Sequence, residues 1–366
     1  MLDDIALAAA EGIANVVMKN SARAAKTMKM RRNIKKAAAI INSGGLVAFP
    51  TETVYGLGAD AFNADAVARI YATKGRPNDN PLILHISSLQ QFLDLADNPP
   101  EYAIKLAAAY WPGPLTLVAK KRSHLPKWLG GHPNNTTDTV GIRIPNHPAA
   151  LALIQAAGCP IAAPSANKAG RPSPTTATHV KEDYPNKEID MVLEGEALDI
   201  GVESTVVDIT GQAPVILRPG AITAEMIESI VATAPNANSQ VAPRSPGTKY
   251  RHYAPKAPMY ILNGTTQAIA SHIIVECDAK SEEIIGALVT KDVAELVKKQ
   301  TPPNVHILIL GDNPNNQAQE LYAHLRSFDK TDATIIYSQS VPNEGLGTAI
   351  MDRMLKAADG NVLEVM

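Results

Sequence analysis

From residue 33 onward the chain alternates between segments whose apolar residues recur at helical spacing and short, continuous apolar runs of strand type. Over 33–42 the spacing is helical and stops at Ser43-Gly44-Gly45, and the run LVAFP behind it has the length of a buried strand. The pattern repeats with a helix over 64–73, a strand PLILHI, a helix around 100–110 and a strand LTLVAK. Further strands are expected at 140–144, 161–163, 191–194, 205–209 and 215–217, with a helix over 147–157. A chain written this way packs helices on a sheet, so 33–233 reads as one mixed α/β domain.

Between 232 and 258 the sequence ATAPNANSQVAPRSPGTKYRHYAPKAP is rich in Pro, Ala and Asn and has no apolar period, the composition of a linker, placed at 234–258. Beyond it, over 259–366, MYILN, EIIGALVT, HILILG and ATIIYS alternate with helical stretches, including 316–326 and 349–358. That predicts a smaller, open α/β domain of Rossmann-like type. A chain of 366 residues, 45% of them hydrophobic, is long enough for two such cores. Residues 1–32 read as a helical extension. Asp3, Asp4 and Glu11 stand where a secretory signal carries positive charge, and the same acidic start disfavours an organellar transit segment despite Lys19, Arg23, Lys26 and Lys29.

A net charge of −2 gives no global attraction to nucleic acid or anionic membrane, so any basic function has to be a local patch. Cys159 and Cys277 lie far apart and outside CxxC or Cys/His spacing, which argues against a disulfide framework or a zinc site and for a reducing cytoplasm. No apolar run approaches the roughly 20 residues of a membrane-spanning helix.

The segment FPTETVYGLGADAF runs a strand into Thr51, Glu52, Thr53 and Tyr55, then Gly56 and Gly58. Polar groups beyond a strand end, with glycines that let a backbone approach a ligand, fit the position of ligand sites in open α/β sheets. An ordinary capped glycine turn fits the segment equally well. In KGRPNDNPLILHI, Lys74 and Arg76 follow a helix and precede a stiff turn, where a planar fork and a point charge together suit a polyphosphate. Cations there also complement a helix dipole. Thr139 and Arg143 in TVGIRIP, Ser165, Asn167 and Ser173 in APSANKAGRPSPTT, Ser204 and Thr205 in GVESTVVDI, and Arg218 in ILRPG add small hydroxyls and cations at strand ends or turns. Each alone is equally a turn satisfying its own backbone. No GxxxxGK[ST], GxGxxG after a strand, HExxH or GxSxG occurs, which takes weight from the standard NTPase, dehydrogenase, zinc-protease and α/β-hydrolase readings.

In this order, FPTETVYGLGADA, KGRPNDNPLILHI, WPGPLT, VGIRIPNHP, PSANKAGRPSPT, GVESTVVD and ILRPG resemble the YrdC/YwlC family of L-threonylcarbamoyladenylate synthases, over residues 34–233. SPGTKYRHYAP and EGLGTAIMDRMLKAA look like that family's long, two-domain form. The resemblance implies a twisted mixed α/β sheet with a concave ligand cavity. It implies formation of threonylcarbamoyl-AMP and pyrophosphate from L-threonine, bicarbonate or CO2, and ATP, as a step of tRNA threonylcarbamoyladenosine modification. Carried over by motif, Thr53, His85, Arg143 and Ser204 would surround threonine, with Arg143 on its carboxylate. Lys74 and Arg76 would act on the phosphates, and Arg76, Asn80, Thr139, Ser165, Ser173 and Arg218 would bind ATP. Tyr253 or His252 would close over the site as a lid, and Ala163, before PSAN, can offer only its backbone. Magnesium is expected on the phosphates rather than in a protein cage, and a downstream tRNA-modifying transferase complex is the expected partner. The rival reading is a double-stranded RNA-binding module using a basic concave face, which needs an extended basic stripe. A carbamoyl-transfer domain like those of hydrogenase-maturation proteins would bring zinc-finger segments, which two cysteines cannot supply.

Overall fold

In a computed structural model that describes residues 28–195, 198–231, 252–300 and 304–366, the two alternating stretches form two sheets. The first begins with α1, helical over the described residues 28–42. It continues β1 (Val47–Phe49), β2 (Gly56–Asp60), α2 (Ala64–Lys74), β3 (Ile83–His85), α3 (Leu89–Leu95), α4 (Glu101–Tyr110), β4 (Leu115–Lys120) and β5 (Thr139–Arg143). Then follow α5 (Pro148–Ala157), β6 (Ile161–Ala163), α6 (Ala177–Asp183), β7 (Met191–Val192), β8 (Thr205–Asp208), β9 (Val215–Arg218) and α7 (Ala224–Glu228). The second stretch runs β10 (Met259–Asn263), α8 (Thr266–Ala279), β11 (Ile285–Val289), α9 (Lys291–Lys298), β12 (Val305–Ile309), α10 (Pro314–Phe328), β13 (Ile335–Gln339), α11 (Leu346–Ala357) and β14 (Val362–Glu364).

The larger sheet is mixed, in the order β7-β1-β2-β6-β3-β5-β4-β8-β9. Strand alternation sorts its side chains. Leu46, Ala48, Leu57, Leu84, Leu117 and Ile142 join one core with α2, α3 and α4. On the other face Val47, Phe49, Ile161 and Ala163 pack under α1 and α5. Those two helices cover only part of that face. His85 and Arg143 lie side by side in the parallel β3–β5 register, and Gly141 pairs with Val118 of β4, on the part that carries polar residues.

GLGAD is a strand, not a turn: β2 pairs antiparallel with β1, Phe49 against Gly56 and Val47 against Gly58. A Cβ on Gly58 would stand 2.6 Å from Cγ2 of Ile161 and 2.7 Å from Phe49, so this glycine serves packing rather than a ligand. α2 is set by Asn63, whose side chain accepts from the Ala66 N–H, and is stopped by Gly75 in the left-handed region at φ 65. That stop turns the chain between Lys74 and Arg76.

The smaller sheet is wholly parallel, in the order β12-β11-β13-β10-β14. Its strand β11 is buried along its whole length, as a sheet covered on both faces requires. The domains share a core in which Val54 and Val202 meet Tyr253, Met259, Leu321 and Tyr322. Across the same seam Arg326 of α10 grips both carboxylate oxygens of Asp183, at 3.0 and 2.8 Å.

Candidate active site

The uncovered face of the larger sheet ends in a cavity of about 750 Å³, open mouth included, between β2, β3, β5, α2 and the loops after β1, after β6 and before β8. Arg143, at the end of β5, is buried and held from three sides. Its Nε donates to the Gly113 carbonyl at 3.2 Å and its Nη1 to Thr53 Oγ1 at 3.0 Å, while Nη2 lies 2.7 Å from Glu52 Oε2. Thr51 fixes that loop by donating to the Val54 carbonyl at 2.6 Å. Next to Arg143, His85 sits edge-on to Phe49 at 5.7 Å. Burial, and then the Arg143 charge, push its imidazole down to about 3, so it is neutral near pH 7. Its Nδ1 has no hydrogen-bond partner among the described residues.

A second group comes from the end of α2. Lys74 Nζ donates to the Ser165 carbonyl at 2.6 Å and also to the Asn167 carbonyl. Arg76 donates from Nε to the Asn80 carbonyl at 3.1 Å, and from Nη2 to Asn80 Oδ1 at 2.6 Å and the Pro81 carbonyl at 2.7 Å. Burial, followed by the Arg76 charge, holds Lys74 well below the usual ammonium range, and burial lowers Arg76 to about 10. These bonds run to carbonyl and amide oxygens. An entering anion therefore meets Arg76 as an oriented cation, and its own charge favours the ammonium form of Lys74 that burial disfavours.

The third group lies where β8 begins and β9 ends. Arg218 Nη2 donates to the Ser204 carbonyl at 2.9 Å and to its Oγ at 3.2 Å, and Ser204 Oγ shares a 2.8 Å bond with Thr116 Oγ1. Glu203 also lines the cavity. Its burial alone would raise its carboxyl, but Arg353 and Arg218 outweigh that and hold it at about 2.

The cavity thus gathers Thr53, Lys74, Arg76, Asn80, His85, Arg143, Ser165, Ser204, Arg218, His252 and Tyr253 from the sequence reading. Two expected residues lie elsewhere. Thr139 lines an adjoining depression on the same sheet face, shared with Thr116 and Gly141, with Ile83 common to both hollows. Ser173 is fully buried behind the wall, its Oγ donating to Glu203 Oε1 at 2.6 Å. Tyr253 is buried at φ 65 with its ring 5.3 Å from that of Tyr322. The linker as read at 234–258 is described only from His252, so 234–251 lies outside the described residues, as does 1–27 of the N-terminal extension. Glu203 is a site residue that the sequence reading did not single out, although it sits inside a motif it quoted, and Glu52 was named only as one of the polar groups beyond the first strand, with no role assigned. Tyr322 and Arg353 reach Glu203 from the second domain; Arg353 lies inside the quoted EGLGTAIMDRMLKAA and Tyr322 inside the helix read at 316–326, but neither was given a role at the site.

Lys74, Arg143 and Arg218 are each 3% exposed. Cations enclosed this way, at the strand ends of an α/β sheet, define an enzyme-type pocket for a small polyanion and a polar companion rather than a basic stripe for a duplex. Sequence and fold comparisons name the family. The family model described as telomere recombination, which groups Sua5, YciO and YrdC, matches residues 39–220, and the model for the threonylcarbamoyl-AMP synthase C-terminal domain matches 222–359. The threonylcarbamoyl-AMP synthase of Bacillus subtilis is 43% identical over 336 residues, 90% of this chain and 94% of that protein. That of Pyrococcus abyssi is 42% identical over 338 residues, covering 91% and 96%. The crystal structure of Pyrococcus abyssi Sua5 complexed with L-threonine superposes with a TM-score of 0.83 at 40% identity, covering 92% of this chain and 97% of that one. The chain belongs to the two-domain Sua5/YrdC family of threonylcarbamoyl-AMP synthases.

Proposed function

We propose that this chain joins L-threonine, bicarbonate or CO2, and ATP into threonylcarbamoyl-AMP with release of pyrophosphate. The observation that carries the reading is that one cavity is lined by Arg143, Thr53 and His85, by Lys74, Arg76 and Asn80, and by Ser204 and Arg218. The first group suits an amino acid: an arginine for its carboxylate, with a hydroxyl and a neutral imidazole for its polar side chain. The second suits a triphosphate.

The threonine ammonium loses a proton and its amine attacks the carbon of CO2, giving a carbamate as an N–H proton leaves to solvent; with bicarbonate the same N–C bond forms as the C–OH bond breaks and water leaves. A carbamate oxygen then attacks the α-phosphorus of ATP, the α–β bridging bond breaks, and pyrophosphate leaves with the electron pair. No protein nucleophile is needed. The protein's part is to align two substrates and stabilise charge that grows on the leaving pyrophosphate, and Lys74 and Arg76 are placed for that. Asn80, Ser165 and Arg218 are assigned to ATP, which enters as its magnesium complex with phosphate oxygens as ligands. Tyr253 closes one side of the cavity and excludes water from the carbamate and the mixed anhydride. Such an anhydride is labile, so a tRNA-modifying transferase complex in the same cytoplasm is the expected consumer.

Incubation of the full chain with magnesium, ATP, bicarbonate and labelled threonine should release pyrophosphate and yield a labelled adenylate on chromatography. The reading fails if pyrophosphate release does not depend on threonine.

A further inference from the structure

Glu203 is a carboxylate in the wall of a cavity lined also by Lys74, Arg76, Arg143 and Arg218, and it is 7% exposed. A bare carboxylate there would repel a polyphosphate and would itself be costly to bury. Part of its neutralisation comes from Arg218 of its own domain, and the larger part from the other domain. Arg353 of α11, 150 residues away, donates from Nε to Glu203 Oε2 at 2.8 Å, and Tyr322 of α10 donates its hydroxyl to the same oxygen at 2.8 Å. Ser173 completes the set on Oε1. Arg353 is wholly buried, and its Nη2 donates to the Pro219 carbonyl at 3.0 Å. One guanidinium therefore braces the residue before Ser204 and the residue after Arg218. Its carbon also lies 5.8 Å from the centre of the Tyr253 ring.

We propose that Arg353 is a positioning residue for the synthase reaction, through which the C-terminal domain completes the phosphate side of the active site by neutralising Glu203 and fixing the Ser204 and Arg218 loops. The proposal rests on the synthase reading above. It gives the second domain a defined task in catalysis: the first domain alone would carry, against ATP, a carboxylate masked only by Arg218 and Ser173, and two unbraced loops.

Steady-state kinetics of the full chain, varying each substrate in turn, test this. Arg353→Ala should raise the KM for ATP at least tenfold and by a larger factor than the KM for threonine. Adding Glu203→Gln removes the exposed charge and should recover most of that ATP loss, while kcat stays low because the loops remain unbraced. Arg353→Lys keeps the charge but loses the fork, and should hold the ATP KM within about threefold with a reduced kcat. A merely structural arginine predicts the opposite pattern, with the double variant at least as impaired as the single one. Should Arg353→Ala not fold, Tyr322→Phe and Arg353→Lys decide, since both preserve core volume. Wild-type constants in both would overturn the proposal, as would unchanged constants in a folded Arg353→Ala. A wild-type chain that releases no threonine-dependent pyrophosphate sinks the synthase reading instead, so the two failures are distinct.

Discussion

Arg143 and Glu52 face each other 2.7 Å apart, with side chains only 4% and 3% exposed. Removing one member strands the other, which costs about 3–5 kcal/mol, whereas replacing both is far cheaper. Arg143→Ala should therefore lower the denaturant midpoint sharply, and Arg143→Met with Glu52→Gln should regain most of it. In that double variant calorimetry should show threonine affinity down by about 1.5–3 kcal/mol with ATP affinity largely kept, because only threonine loses its carboxylate partner. Equal losses for the two ligands would put Arg143 on the wrong substrate. His85 makes a second, separable prediction. Its native imidazole is held at about 3, below the ordinary value, so below pH 6.5 the unfolded chain takes up a proton that the native state refuses. Stability is then unaffected above about pH 6.5 and falls as pH drops toward 3, by about 2 kcal/mol at pH 5. Urea unfolding should show a slope between pH 6.5 and 5 that His85→Gln reduces by that share, the remainder coming from His179 and His252, which burial pushes down to about 4. Glu203, held at about 2, adds its own loss only below the ordinary carboxylate range. At this scale the motifs were legible because each binding side chain sits in a short run of unusual composition. Ser173 reads as a ligand group by the same test, yet its hydroxyl is taken by Glu203, 30 residues away, a pairing that no local pattern reveals.

Long periodic elements such as α2, α5 and α10 were legible as helices, since their apolar faces repeat and their ends carry Asn63 with Gly75, Pro148 with Gly158, and Asn313 with Pro314. The seven-residue helices α3 and α6 and the edge strand β14 are too short to show a period. β2 was hidden for another reason: two of its five residues are glycines, which weaken any strand signal. The structure shows what Gly58 is for, since the ring of Phe49 passes over it and that same ring meets His85 edge-on. Gly58→Ala should consequently cost about 1–3 kcal/mol by overpacking. Because Phe49 has to shift, His85 shifts with it, and the KM for threonine should rise more than that for ATP. Thermal unfolding and kinetics on the same preparation check both halves. A fully stable variant would mean that the β1–β2–β6 packing has slack that the register does not suggest.

The seam between the domains is built from buried polar groups as much as from apolar ones. Arg326 donates to both oxygens of Asp183 and, at 2.6 Å, to the Pro172 carbonyl, while Arg171 lies 2.7 Å from the same Asp183 and 3.2 Å from Asp329. Arg326 and Asp183 are 143 residues apart, so a sequence reading that found both domains and the boundary composition had no means of pairing them. Side chains this deeply buried bind the two halves into one cooperative unit, because opening the seam would leave charges uncompensated in both. Scanning calorimetry of the full chain should show a single transition whose calorimetric and van't Hoff enthalpies agree. Asp183→Ala leaves Arg326 without its carboxylate and should cost about 3–5 kcal/mol, lowering the transition and separating it into two. Asp183→Leu combined with Arg326→Met, which removes both charges and keeps volume, should restore a single transition near the original temperature. Two transitions already present in the wild-type chain would mean that the domains unfold independently and that this ion pair couples nothing.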